Sequence, residues 1–238
     1  MRDPQREDGD YNRLPMDLEQ ARTNMVEQQI RTWEVLDQEV LDLLYVIPRE
    51  EFVPQQHRAL AFSDLELPLE KGTKAGAGER MWQPKLEARV LQELALKRTD
   101  RVLEVGTGSG YLTALMAYRA AEVCSVEIRP ALAAFGRGNL ERHGADNVTL
   151  EVGDAARGWA RHAPYDAIVL TGSTPILPQG FLDQLAAGGR LFAVVGEAPA
   201  MQARLVTCTA PGASSSVDLF ETVLRPLANA EQPQRFRF

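Results

Sequence analysis

The chain has 238 residues, enough for one α/β domain with an elaboration or for two small domains, and its formal net charge of −7 comes without any lysine or arginine block, which argues against a nucleic-acid partner. No apolar run approaches membrane-spanning length, and the opening MRDPQREDGDYNR lacks the apolar centre of a signal peptide. Two cysteines, both inside expected strands, exclude a disulfide framework and point to a reducing, cytoplasmic setting.

In chain order, residues 1–14 are polar and without periodicity, so they read as a tail. From Asp17 the pattern turns helical, with Met25 and Ile30 on one face, and a second helix is expected from Asp37 to Leu44, ended by Pro48. The segment that follows, broken by Pro54 and Pro68, reads as short extended pieces, and KGTKAGAG (71–78) as a flexible loop. Leu86, Val90, Leu91 and Leu94 mark a helix.

The stretch from Arg101 to Glu127 is the most informative. Val102–Val105 is short and β-branched enough for a buried strand, Gly106, Gly108 and Gly110 form a bend without side chains, and a helix begins at Tyr111. A second strand, Val123–Val126, closes on Glu127. Glycines let backbone approach a ligand, a helix start offers free N–H groups, and a carboxylate at the next strand's tip is placed for two ribose hydroxyls. A dinucleotide fingerprint would need glycine where Tyr111 stands; the pattern is instead E-x-G-x-G-x-G from Glu104. With no pyrophosphate to cradle, the loop suits an adenosine carrying an amino-acid tail, whose ammonium Glu104 would meet.

Beyond Glu127 a helix (Ala131–Arg142) ends near Gly144, Val148–Val152 is a third strand leading to Gly153-Asp154-Ala155, and Ala167–Leu170 is a fourth. A proline-opened helix (Pro178–Leu185) precedes a fifth strand (Arg190–Val195), and Ala203–Thr209 with Val217–Leu224 reads as an antiparallel edge pair. This alternation implies a mostly parallel, Rossmann-like sheet of seven strands with helices on both faces. The expected division is a tail (1–14), a helical extension with a substrate-side loop (15–80), a nucleoside-binding domain (81–228) and a C-terminal tail (229–238).

The glycine loop resembles that of class I S-adenosylmethionine-dependent methyltransferases. The series MVEQQI, IPREEFVP, ALAFSDLELPL, then QP ahead of LEVGTGSGYLTALMA, with YDAIVLTGSTPILPQGFLDQLAAGGRLFAVVG after it, resembles the protein-L-isoaspartate O-methyltransferase family over roughly residues 20–228. The resemblance implies S-adenosylmethionine as cofactor and isoaspartyl residues of damaged proteins as acceptor, in a monomer or weak homodimer. It implies cofactor contacts from Glu104, Gly106, Thr107, Gly108, Gly110 and Tyr111, from Glu127 and Ile128, from Gly153, Asp154 and Ala155 around adenine, and from Thr171. Asp154 has a plainer reading as a helix-capping turn aspartate.

The sequence departs from that family on the acceptor side. In Gly78-Glu79-Arg80-Met81-Trp82-Gln83-Pro84, Trp82 stands where the family has a serine, and the preceding loop is longer. Either Trp82 turns away and Arg80 or Gln83 binds the acceptor carboxylate, or the indole fills the acceptor pocket or stacks on a flatter substrate. The hydroxyls of Thr171-Gly172-Ser173-Thr174 offer compensating polar contacts or, alternatively, a helix cap. His57, His143 and His162 fit helix or loop surfaces, and no ligand spacing in the sequence links them to Cys124 or Cys208 as a metal site. Three functions remain: isoaspartyl methylation, methylation of another, small-molecule acceptor, and cofactor binding without catalysis.

Overall fold

The computed structural model describes residues 17–70, 78–210 and 212–233; the expected 1–14 tail, almost all of the 71–78 loop and the end of the C-terminal tail lie outside them. Helix α1 (Leu18–Asn24) starts at Asp17, whose carboxylate accepts from the Glu19 and Gln20 N–H groups at 3.1 Å each. It runs into a π-helical turn, Met25–Ile30, that buries Met25, Val26 and Ile30. Helix α2 (Gln38–Val46) is capped by Asp37 in the same way. The segment expected to be extended is instead two 3₁₀ turns, Arg49–Glu51 and Gln55–Leu60, a compact wrap that carries buried Arg49 to its partners at Ala61, Trp82 and Glu87. A short ribbon of β1 (Leu67–Pro68) and β2 (Arg80–Met81) leads to α3 (Pro84–Leu94), which opens on proline and stops at a left-handed Ala95.

The sheet comprises β3 (Arg101–Val105), β4 (Glu122–Glu127), β5 (Val148–Val152), β6 (Tyr165–Leu170), β7 (Leu185–Glu197), β8 (Ala200–Ala210) and β9 (Ala213–Glu221). Their order is β5-β4-β3-β6-β7-β8-β9, parallel through β7 and antiparallel at β7–β8 and β8–β9, as the strand–helix alternation predicts. Residues two apart share a face: Val102, Val123, Ala167 and Val169 join the cluster formed with α3, α4 (Tyr111–Arg119), α5 (Pro130–Arg142) and the N-terminal extension. Leu103, Val105, Cys124 and Val126 face the second cluster, under the short helix α6 (Gln179–Asp183). The extension therefore shares a core with the sheet. Chain order reverses between β3 and β6, which opens a crevice beyond the strands' carboxyl ends.

Candidate active site

The glycine bend sits in that crevice. Gly106, Gly108 and Gly110 have φ of +100°, +54° and +81°, so all three occupy the half of conformational space that side chains disfavour. Gly106 is tied in on both sides: its N–H donates to the Val126 carbonyl at 2.8 Å, and the Thr171 hydroxyl lies 2.8 Å from its carbonyl and from that of Val105. Gly136 of α5, which no sequence pattern singled out, lets that helix approach: a Cβ there would lie 2.9 Å from the Thr107 methyl and 3.1 Å from the Gly108 carbonyl.

Two carboxylates flank the bend. Glu127 is buried, and its oxygens accept from the Gly108 and Arg129 N–H groups at 3.0 Å each, leaving further lone pairs for a ligand. Glu104 is wholly buried at the end of β3; its Oε2 accepts from the hydroxyls of Thr113 and Ser125, while its Oε1 has no partner among the described residues. Burial pushes this carboxyl up to about 8, against the opposing pull of the two hydroxyl donors.

Around them lies a cleft, open to solvent, in which Glu104, Gly106, Thr107, Gly108, Glu127, Ile128, Thr171, Arg80 and Trp82 all form part of the wall. The other candidates stand elsewhere. Gln83 supplies the carbonyl that starts α3, and Gly110 starts α4. Tyr111 is a core residue, its ring edge-on to Phe52 with the Arg49 guanidinium carbon 5.1 Å away. Asp154 caps no helix: its Oδ1 accepts from the Ala156 N–H at 3.0 Å and its Oδ2 from the Asn229 amide at 2.8 Å. Gly153 leaves room for the Trp159 ring, 2.6 Å from where a Cβ would be, and Ala155 is buried in the second core cluster. None of these three lines the cleft.

The other end of the cleft is built from segments far apart in sequence. Trp82 is buried, with its indole edge-on to Phe192 at 6.5 Å between centroids, and its carbonyl accepts from Arg49. Arg49 also pairs with buried Glu87 and donates to the Ala61 carbonyl at 2.9 Å. Arg80 faces Glu66, donating to its carbonyl at 3.3 Å, and Arg225 lines the same end. Burial raises the Glu66 carboxyl, with Arg80 and Arg225 pulling it back. Neither Ser173 nor Thr174 lines the cleft, and neither hydroxyl caps α6: Thr174 donates to the Ile176 carbonyl and Ser173 to that of Leu224, which pins the Arg225 segment beside the cleft. Glu66, Glu87 and Arg225 carry no local sequence signal. Nor does the meeting of His162 with Cys124 and Glu151, whose ligand atoms lie within 4.8 Å of one another although sequence spacing did not connect them.

A mostly parallel sheet of this order, with a glycine bend at the switch point and a carboxylate on either side of it, defines the class I S-adenosylmethionine-dependent methyltransferase fold. Comparison with known proteins agrees and narrows the class. A solved protein-L-isoaspartate O-methyltransferase is 25% identical with a TM-score of 0.73, covering 89% of this chain and 66% of its own. A Plasmodium falciparum structure described as belonging to the same group, in complex with S-adenosyl-L-homocysteine, superposes with a TM-score of 0.73 at 20% identity over 87% of this chain and 98% of its own. Among sequences, the protein-L-isoaspartate O-methyltransferase of Methanoculleus marisnigri is 45% identical across 74% of this chain and 77% of its own, and that of Gloeobacter violaceus is 38% identical across 88% and 99%. The sequence model for protein-L-isoaspartate(D-aspartate) O-methyltransferase matches residues 20–232, and the chain belongs to that family.

Proposed function

We propose that this protein transfers the methyl group of S-adenosylmethionine to the carboxylate of an isoaspartyl residue in a damaged protein or peptide. The observation that carries this reading is the unpartnered, buried Oε1 of Glu104 on the same cleft as Glu127 and the side-chain-free bend. A buried acceptor atom without a donor fits the ammonium of an amino-acid tail, and Glu127 fits a ribose diol. When bound, S-adenosylmethionine supplies a methyl group already activated on a sulfonium.

The chain's own residues have correspondingly modest tasks. A carboxylate is a nucleophile at neutral pH without a base, so a cleft whose described lining includes no histidine is adequate. Alignment and water exclusion supply the acceleration: Met81, Trp82 and Leu224 furnish an apolar wall, and Arg80 and Arg225 attract the acceptor's negative charge. The buried free cysteines suit a reducing cytoplasm, where the protein acts as a monomer or weak homodimer; among the described residues no helix is long and apolar enough to cross a membrane.

Incubation with methyl-labelled donor and an isoaspartyl peptide, beside its aspartyl counterpart, tests the reading. Base-labile label on the isoaspartyl peptide alone is expected; label on neither overturns it. The indole at the wall favours a second reading, a flat small-molecule acceptor stacked on Trp82. Under that reading Trp82→Ser gains activity on the isoaspartyl peptide, whereas under the first it loses activity.

A further inference from the structure

Away from the cleft, the structure gathers a second set of reactive side chains that methyl transfer does not use. Cys124 of β4, Glu151 of β5 and His162 of the 3₁₀ turn Ala160–His162 come from three separate segments, yet a sulfur, a carboxylate oxygen and an imidazole nitrogen lie within 4.8 Å of one another. Cys124 is 2% exposed; the side chains of Glu151 and His162 are 13% and 29% exposed. None of the three lines the cleft.

The donor types decide the chemistry. Magnesium and calcium take oxygen ligands, whereas thiolate with imidazole and carboxylate suits zinc and its neighbours in the first transition row. A tetrahedral zinc with bonds of about 2.0–2.3 Å places neighbouring ligand atoms roughly 3.3–3.8 Å apart. His162 Nε2 and Glu151 Oε1 stand 2.6 Å apart, so that pair must open by about an ångström, and the sulfur must close by a similar distance at most. β5 is an edge strand and His162 ends a single turn, so side-chain rotation supplies such adjustments without moving the sheet's interior.

The surroundings resemble the outer support of a metal site. Glu151 Oε2 pairs with Arg161, and the Trp159 indole N–H lies 3.5 Å from Oε1, so both orient the carboxylate. We propose that Cys124, Glu151 and His162 form a binding site for zinc or a divalent ion of the same borderline class, fastening the β5–β6 connection to the sheet and leaving a fourth position to water. As the sulfur–metal bond forms, the thiol proton passes to solvent; thiolate and carboxylate then balance the ion's two charges. Arg161 has a double effect: it holds the carboxylate, but its cation opposes the ion.

The test uses the full chain, freed of metal with a chelator and titrated first with Co²⁺ and then with Zn²⁺. Expected are one equivalent of Co²⁺ with a near-ultraviolet thiolate charge-transfer band and visible tetrahedral bands, displacement by Zn²⁺, and a Zn²⁺-dependent rise in Tm. Cys124→Ser is expected to lose the charge-transfer band, His162→Gln to weaken binding at least tenfold, and Arg161→Gln to tighten it several-fold. His162 is partly exposed, so its variant remains informative if the buried Cys124→Ser fails to fold. No band in the unsubstituted protein, a band that survives in Cys124→Ser, or unchanged affinity in His162→Gln overturns the proposal.

Discussion

Replacing Glu104 with glutamine tests the cofactor end of the cleft through proton counting. In the free protein the carboxyl, pushed by burial up to about 8, is about nine-tenths protonated at pH 7. A free amino acid's α-ammonium ionises above the roughly 7.7–8.0 of a peptide N-terminus and is almost wholly protonated at the same pH. Free protein and free ligand together hold about 1.9 protons, whereas a carboxylate–ammonium contact holds one, so binding of S-adenosylhomocysteine should release about 0.9 proton at pH 7. At pH 9 the free carboxyl is largely ionised while the ammonium keeps much of its proton, so the release should give way to a small uptake. The crossover falls above pH 8.

Isothermal titration in buffers of low and high ionisation enthalpy reads this number as a slope. Glu104→Gln should abolish the release at pH 7 and weaken binding, because a charge-assisted hydrogen bond of about 1.5–3 kcal/mol is lost, less about 1.4 kcal/mol that the unsubstituted protein spends on ionising Glu104. Stability supplies an independent check. The folded-state value lies above the ordinary 4.5, so the carboxyl's contribution is fully present below pH 4.5 and is lost as pH rises through 8, by up to about 1.4 kcal/mol per pH unit. The ligand-free glutamine variant should therefore overtake the unsubstituted protein in Tm between pH 5 and 8. Heats at pH 7 that do not depend on buffer ionisation would refute the placement of an ammonium at Glu104.

Gly106→Ala would place a methyl 2.1 Å from the Thr171 hydroxyl oxygen at φ +100°; a loss of about 2 kcal/mol or more by denaturant melt and at least tenfold weaker S-adenosylhomocysteine binding are expected. Arg49→Met strands the buried Glu87 carboxylate and should cost about 3–5 kcal/mol in a chemical melt. Adding Glu87→Met should recover most of that, leaving a deficit of about 1–2 kcal/mol for the donors lost to the Ala61 and Trp82 carbonyls. Arg80→Gln or Arg225→Gln should raise KM for an isoaspartyl peptide about tenfold with little change in kcat, and the difference should shrink at high salt. Glu66→Gln, which removes a competing carboxylate, should lower the same KM.

What the sequence revealed follows the range over which its signals act. The strand–bend–helix–strand unit was legible almost to the residue, Val102–Val105 against the observed Arg101–Val105 and Val123–Val126 against Glu122–Glu127, because apolar runs and glycines are local. The turns at Arg49–Glu51 and Gln55–Leu60 were not legible, because the compact wrap they form carries buried Arg49 to partners 12, 33 and 38 residues away. Gly136 escaped notice for a related reason: a glycine inside a helix signals nothing until the bend it accommodates is folded against it. The Gly153-Asp154-Ala155 pattern looked local, but its aspartate is engaged by Asn229, a contact no nearby residue predicts.

The end of the cleft at Arg80 and Trp82 can vary in side chain while the fold persists. The wall at residue 82 is positioned by its main-chain carbonyl, which Arg49 holds, and Arg49 is itself fixed by Glu87 on α3 and by the Ala61 carbonyl. None of these contacts involves the side chain at 82, so a substitution there leaves the backbone frame in place. The indole then takes its packing from Phe192, a residue of the sheet, and needs no compensating change in the loop that carries it. Cofactor-side residues have no such latitude, since Gly106 and Gly108 are required by backbone angles and Glu104 and Glu127 by the strand ends that carry them. A fold arranged in this way can change its acceptor by substituting Trp82, Arg80 and Arg225 while its donor site stays fixed, so substitutions at those three positions should alter KM for the acceptor with little effect on S-adenosylhomocysteine affinity.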